Sequence, residues 1–478
     1  MGTCFPSAIL GEEGYLVAHQ NHIRKLSLIT PLNCICLGPA LEQFANLQEL
    51  SWKGLAADLD FSVLRKCLDV HHERLTSLEL DFVNWAEVEK GDDLSDDSYY
   101  SDFDVNSTPL LKLILPERRD AHQILLPNLR TISLSAASLK GSFDQLIEAF
   151  NLRNVSELRI LNCKVTMLLL EHMALRNIPL QVIRAELLMS SPGLDGMTDE
   201  FIDFLAPFRS LEDLFVLFES FYADQEYVDS IYAHRSTLRR LVYHRRQYCL
   251  EEKAPYFEEY CDNSLEEVSG LEKILQENRL ESLGLCAEPL MLQKTFQDIA
   301  RQVYSLKLLH LRFTGKAERK PRLLKSDADY EGDEPSERWA RARETATENG
   351  TPPPPRSPGP TEAEIRETWE QIQGRNWRED EEKELEAFAN WAFGPDGFPC
   401  LRVLASGDFS HGNRFADSRT LWCRKTRGST RRAKWRPVER EDVLENELID
   451  GNIDMLSACP VSPLYYSYGR GDKFPGIS

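Results

Sequence analysis

None of the short motifs that most often carry bond-making chemistry occurs in this chain. There is no strand-G-x-x-x-x-G-K-[ST]-helix phosphate loop, no H-E-x-x-H and no G-x-S-x-G. Histidine is scarce, 10 residues in 478, and scattered. The one adjacent pair, His71-His72, would diverge by about 100° on a helix and could not easily share a metal. Cys34-x-Cys36 has no second pair to complete a zinc site. The expectation is a non-enzyme with no cofactor and no metal.

Long apolar runs are also missing. None approaches the roughly 20 residues of a membrane helix, and Met1 to Leu16 lacks the charged and apolar regions of a secretory signal. The chain is therefore expected to be intracellular, in cytoplasm or nucleus. On that reading Arg470-Gly-Asp472 and the sequons at Asn106, Asn154 and Asn349 are chance matches, and the eleven cysteines are buried free thiols of a reducing compartment. Positive charge is short as well: 56 Lys and Arg against 77 Asp and Glu leave a formal charge of −21. That balance argues against general affinity for nucleic acid or anionic lipid.

What the sequence does have is a recurring strand. Val155-Ser-Glu-Leu158-Arg-Ile160-Leu-Asn-Cys163 alternates, so that Leu158 and Ile160 share one face while Glu157, Arg159 and Leu161 share the other. The same core returns from Ile23, Leu47, Leu75, Leu129, Leu180, Leu211, Leu238, Leu280, Leu306 and Leu401, with most neighbouring starts 24 to 31 residues apart. Helical stripes precede several strands. They are Leu41/Phe44/Leu47, Phe61/Leu64/Cys67/Leu68, Phe143/Leu146/Ile147/Phe150 after a capping box at Ser142, Phe201/Ile202/Leu205/Phe208 after Thr198, and Phe296/Ile299/Ala300/Val303.

The L-x-x-L-x-L-x-x-N/C core at this period resembles an irregular leucine-rich repeat, and its lengths and loose consensus are similar to the repeat region of fungal F-box proteins. The resemblance implies an α/β leucine-rich repeat solenoid, a horseshoe with a mostly parallel concave sheet. It also implies substrate recognition for a cullin-type ubiquitin ligase. No F-box element precedes the first strand: only 22 residues do, and they lack a Leu-Pro-x-Glu-like start.

The organisation read from the sequence is a lead over 1–22, a solenoid over 23–315 with an acidic insert at 87–108, a disordered insert over 316–360, then helices, a final repeat and a cap over 361–478. The acidic insert is either a solvated loop or a substrate of acid-directed kinases. The stretch 316–360 is too polar to bury a core, and ends in the Pro352–Pro355 run. A basic run, Arg424, Lys425, Arg427, Arg431, Arg432, Lys434 and Arg436, comes with two tryptophans, Trp422 and Trp435. It reads as a neutralising loop, a nuclear import signal or a nucleic-acid contact, and the alternative function is a nuclear or nucleic-acid-associated factor that uses the segment 422–436.

The leading expectation is an interaction scaffold that takes a protein partner on the outward strand positions. Read across, these are Glu79 and Asp81, Arg159, Arg184 and Glu186, then Phe215, Leu217, Val242, His244, Cys286, His310 and Arg312. The partner-binding residues expected are Phe215, Leu217, Val242, His244, His310 and Arg312, with Phe215 and Leu217 as anchors unless a neighbouring loop covers them.

Overall fold

The structure is a computed structural model. It describes residues 7–11, 14–19, 22–30, 40–55, 58–82, 124–190 apart from 138, 140–142 and 164, 205–219, 225–249, 258–261, 265–312 apart from 278, 377–407, 409, 419–425 and 434–459. The inserts expected at 87–108 and 316–360, the caps at Ser142, Thr198 and Thr361, and the Cys34/Cys36 pair lie outside them. The chain divides into two compact units, one of 1–250, 259–313 and 388–478 and the other of 251–258 and 314–387. Of the second, little beyond the start of one helix is described.

Each of the eleven recurring cores becomes a strand, and three further strands join them. In chain order these are β1 (Lys25–Ile29), β2 (Glu49–Leu55), β3 (Ser77–Phe82), β4 (Thr131–Ser135), β5 (Glu157–Leu161), β6 (Arg184–Ser190), β7 (Asp213–Glu219) and β8 (Arg240–Cys249). They are followed by β9 (Glu258–Cys261), β10 (Ser282–Leu285), β11 (Leu308–Leu311), β12 (Val403–Ser406), β13 (Thr420–Arg424) and β14 (Trp435–Pro437). Thirteen follow one path in sequence order and β9 attaches at β8. Pairing is parallel from β1 to β12, then antiparallel through β13 and β14.

Register is held by a repeated fork at the strand entrances. The Arg24 carbonyl accepts from the Gln48 and Glu49 amides, Gln48 from Thr76 and Ser77, Thr76 from Arg130 and Thr131, and so on to Lys307, which accepts from Arg402 and Val403. The parallel strands along this path therefore enter at the same height. A continuous apolar row follows, from Leu50 through Leu78, Ile132, Leu158, Ala185, Leu214, Leu241, Leu283 and Leu309 to Leu404. All of these side chains are buried.

Helices among the described residues are α1 (Ser7–Leu10), α2 (Tyr15–His19), α3 (Asp58–His71), α4 (Phe143–Ala149), α5 (Thr166–Leu175), α6 (Gln225–Tyr232), α7 (Leu265–Gln276), α8 (Pro289–Phe296), α9 (Trp377–Ala392), α10 (Val443–Asp450) and α11 (Ile453–Leu456). The expected stripe of α3 is buried, and so is that of α4 apart from Phe143, which is half-buried. The helix expected over Pro39–Leu47 is instead one 3-10 turn, Leu41–Gln43, and the stripe at Phe296–Val303 splits between α8 and a 3-10 turn at Ala300–Gln302. Among the described residues no helix is long and apolar enough to cross a membrane.

The expected leucine-rich repeat horseshoe is not the architecture, and the likeness to the repeat region of fungal F-box proteins falls with it. The chain forms one large, open, uncurled mixed sheet interleaved with helices. The physical reason is that L-x-x-L-x-L reports only a strand that buries alternate residues after a turn. Any parallel strand feeding a sheet meets that condition, and the spacing carries no information on curvature. Two further features separate the fold from a solenoid: the last strands reverse direction, and the chain's own C-terminal helices cover half of the face that a solenoid would leave open.

Candidate functional site

The outward face of the sheet has two halves of different chemistry. In register across it lie Ser27, Ser51, Glu79, Ser133, Arg159, Glu186, Phe215, Val242, Gly284 and His310. Two residues further along the strands lie Ile29, Lys53, Asp81, Ser135, Leu161, Leu188, Leu217 and His244. Polar side chains fill the first row up to Glu186 and the second from Lys53 to Ser135, after the exposed Ile29, and mostly apolar ones follow.

The apolar half is covered. Met455, Leu456, Ala458 and Cys459, with Ile449 of α10, pack with Leu188, Phe215, Leu217, Val242, Leu308, Val403 and Ala405 into one buried cluster. A polar frame seats this C-terminal strap. Asp454 takes Arg240 Nη1 at 2.8 Å and Arg184 Nη1 at 3.0 Å. Asp213, between those arginines in the sheet, takes Arg240 Nε at 2.7 Å and Arg184 Nε at 3.1 Å. Ser282 donates to Asn452 at 2.9 Å, and the Cys459 amide donates to Glu186 Oε1 at 3.1 Å. At Gly284, beneath the strap, a Cβ would press on Val242 and the Met455 methyl at 3.0 and 3.3 Å, so the glycine admits the close approach.

The six expected partner-binding residues all fall in this covered half. Phe215, Leu217, Val242, His244, His310 and Arg312 are each at most 1% exposed. Phe215 and Leu217 are core beneath the strap, not anchors in water. His310 places Nε2 2.8 Å from the Gly407 carbonyl oxygen, and Arg312 donates to the carbonyls of Ala458 and Cys459. The sequence carried a weak signal for the strap: apolar Ile449, Met455 and Leu456 at helical spacing beyond the last repeat strand.

The polar half, β2 to β5, differs in having groups left over. Glu79 is fully engaged: Ser51 Oγ donates to Oε2 at 2.6 Å and Lys53 Nζ lies 3.0 Å from Oε1. Burial alone would raise its carboxyl, but the Ser51 hydroxyl and the Lys53 ammonium outweigh that and hold it below the ordinary range. Arg159 donates Nε to Glu186 Oε2 at 2.7 Å. Asp81, half-buried beside Ser135, has no hydrogen-bond partner among the described residues. Burial pushes its carboxyl up to about 7; Lys53 pulls it down and Glu79 pushes it further up. Next to Glu79 in the other row, Ser133 is 3% exposed and its Oγ also finds no partner. Glu79, Asp81 and Arg159 were readable from the alternation of β3 and β5. Ser133 was not, because a serine in Thr-Ile-Ser-Leu-Ser gives no sign of lacking a partner.

The basic run is partly committed to structure. Arg424 donates to the carbonyls of Phe393 and Phe398 at 2.9 and 2.6 Å, and Arg436 Nη1 donates to Asp442 Oδ2 at 2.6 Å. The Arg436 hydrogen bond holds the Asp442 carboxyl down at about 2. Trp422 and Trp435 stack on one another, 4.3 Å between ring centroids, across the β13–β14 pair. Arg427, Arg431 and Arg432 lie outside the described residues.

Among the described residues Cys67, Cys163, Cys286, Cys423 and Cys459 are buried free thiols and Cys400 an exposed one. Burial pushes the Cys67 and Cys163 thiols up to about 12, so neither is a ready nucleophile at neutral pH. No group of three or more His, Cys, Asp or Glu placed to hold a metal occurs among the described residues.

Fold and site together describe an α/β protein built on one large, mostly parallel open sheet, with an apolar half-face covered by the chain's own C-terminal segment and a polar half-face that this segment leaves free. No protein-family profile and no curated protein matches the chain.

Proposed function

We propose that this protein is an interaction module that takes a protein partner on the polar half of its sheet face, over β2 to β5. The observation that carries the reading is the pair of unpartnered polar groups there, the Asp81 carboxyl and the Ser133 hydroxyl. A desolvated carboxyl with no donor costs folding free energy, and groups of this kind concentrate where a ligand completes them. The strand pitch of about 4.8 Å spaces the side chains as a flat, ruled strip, which fits an extended chain better than a small molecule needing a concave pocket. The partner-binding role expected for Phe215, Leu217, Val242, His244, His310 and Arg312 gives way to this half-face, because the strap occupies theirs. A role in a ubiquitin ligase was implied only by the resemblance, and nothing in the half-face bears on it.

The test is site-directed photocrosslinking. A photoreactive side chain at Ser135 is expected to capture a discrete partner. The same group at Leu175, exposed at the end of α5, is expected to capture none, and Asp81→Lys is expected to abolish the Ser135 product. Equal capture from both positions, or a product indifferent to Asp81→Lys, overturns the reading.

A further inference from the structure

We propose that the patch of oxygens formed by Asp81, Ser133 and Ser135 receives a lysine or arginine side chain carried on an extended segment of the partner. The inference rests on the half-face reading and names the chemistry of what binds there. Asp81 and Ser135 are register neighbours, as are Glu79 and Ser133 one step back along the same strands, so the four side chains form a two-by-two patch. Three of the four supply oxygens with no donor directed at them among the described residues: the Asp81 carboxyl, the Ser133 hydroxyl and the Ser135 hydroxyl. Ser133 makes this more than an acidic cluster. Its hydroxyl is buried between strands bearing Glu79 and Arg159 and is already desolvated before any ligand arrives.

Among the described residues, the cations beside the patch, Lys53 and Arg159, are engaged elsewhere. Lys53 is the register neighbour of Asp81, yet its ammonium sits at 3.0 Å on Glu79. Arg159 is turned away to Glu186, whose other oxygen accepts from the strap amide of Cys459. The strap therefore fixes Glu186, Glu186 holds Arg159, and Arg159 is kept from swinging over Ser133. What the patch lacks is a donor with positive charge. An ammonium offers three donors and a guanidinium a fork of them, and either would turn the unfavourable Asp81 charge into a charge-assisted hydrogen bond. The chain's formal charge of −21 steers cationic segments toward it and anionic ones away. An anionic segment would be repelled by the Asp81 carboxylate.

The experiment uses the full chain and three blocked tripeptides, Ac-Thr-Lys-Thr-amide, Ac-Thr-Nle-Thr-amide and Ac-Thr-Glu-Thr-amide, with butylammonium as a free-amine probe at matched ionic strength. Binding is read from the carboxyl carbon resonance of Asp81, assigned with Asp81→Asn, and from the amides of β3 to β5. The lysine peptide is expected to bind and to lower the Asp81 titration midpoint. Asp81→Asn should weaken it by about ten- to a hundredfold, as loss of a hydrogen bond to a charged group does, and Ser133→Ala should weaken it more modestly. Equal binding of the norleucine peptide with no movement of the Asp81 midpoint overturns the cationic class while leaving the half-face as an interaction surface. Equal affinity for butylammonium overturns the polypeptide source. No response to any peptide overturns both readings.

Discussion

Arg312, one residue beyond β11, donates Nη1 to the carbonyl of Ala458 at 3.0 Å, across 146 residues of chain. Both residues are fully or nearly fully buried. The bond ties the sheet to the strap and explains why a charged residue sits at a covered position. The same guanidinium also caps the Cys459 carbonyl, so two backbone acceptors at the end of the strap depend on one side chain.

Arg312→Met should therefore destabilise the protein by on the order of 1–3 kcal/mol for each carbonyl left unpaired. Phe215→Ser should do more, since burial of a whole ring is worth about 3–5 kcal/mol before the added cost of a buried hydroxyl. Urea denaturation checks both. A wild-type midpoint for Phe215→Ser would show that the strap does not cover β7 in solution.

Around β5 the ranking of substitutions is sharper than strand alternation alone would give. Leu158→Ala and Phe150→Ala, both in the core, should each cost about 2–5 kcal/mol. Arg159 lies on the outward face, where a surface change usually costs about half a kcal/mol. Its partner Glu186, however, has a side chain only 4% exposed. Arg159→Ala strands that carboxylate with a single backbone donor and should cost about 1–3 kcal/mol. Thermal midpoints of the three variants test the order; a silent Arg159→Ala would mean that Glu186 finds water instead.

The positions of the repeat strands were legible because one face of each is apolar and the alternation has a period of two. Where that signal weakened, the reading slipped. In β6 the spacing from Leu180 points to Ile183 as core, yet Ile183 is 44% exposed, while Val182, Ala185 and Leu187 are buried. The expected core, Leu180/Ile183/Ala185, is set two residues early: Ala185 takes the register position of Leu158 and Leu187 that of Ile160. The shape of the sheet and the strap were not legible, because each depends on residues far apart in sequence. Phe215 and Leu217 look identical on a strand whether water or α11 lies above them. The outward direction of Glu79, Asp81 and Arg159 was legible. Their hydrogen-bond accounts were not, since these turn on which neighbour each side chain chooses.

Ser133→Ala offers a compact test of the unpartnered hydroxyl. Burying a hydroxyl without a partner is unfavourable by roughly 1–3 kcal/mol. Removing Oγ should therefore leave the protein as stable as the wild type or more so, whereas Ser51→Ala, which removes a donor to Glu79, should destabilise it. Calorimetry of the two variants at neutral pH distinguishes them. Equal losses would show that Ser133 has a structural partner.

The pH dependence of Asp81 can be worked out in sign. Its carboxyl ordinarily titrates at 3.8 and is pushed up to about 7 in the folded chain, first by burial and also by Glu79, against the pull of Lys53. The folded state thus holds the Asp81 proton more tightly than the unfolded state does. Folding stability from this group is undiminished below about pH 4, falls as pH rises from there through 7, and levels off above. Asp81→Asn keeps the shape and removes the ionisation, so its thermal midpoint should match the wild type near pH 4 and exceed it increasingly up to about pH 8. Lys53→Met should steepen the wild-type decline, because a nearby cation that favours the Asp81 charge is gone. A lysine-bearing peptide should flatten it, by supplying a cation in its place. Measured midpoints for Asp81→Asn that run parallel to the wild type across this range would show that Asp81 titrates normally, and would remove the energetic reason for a cation to bind there.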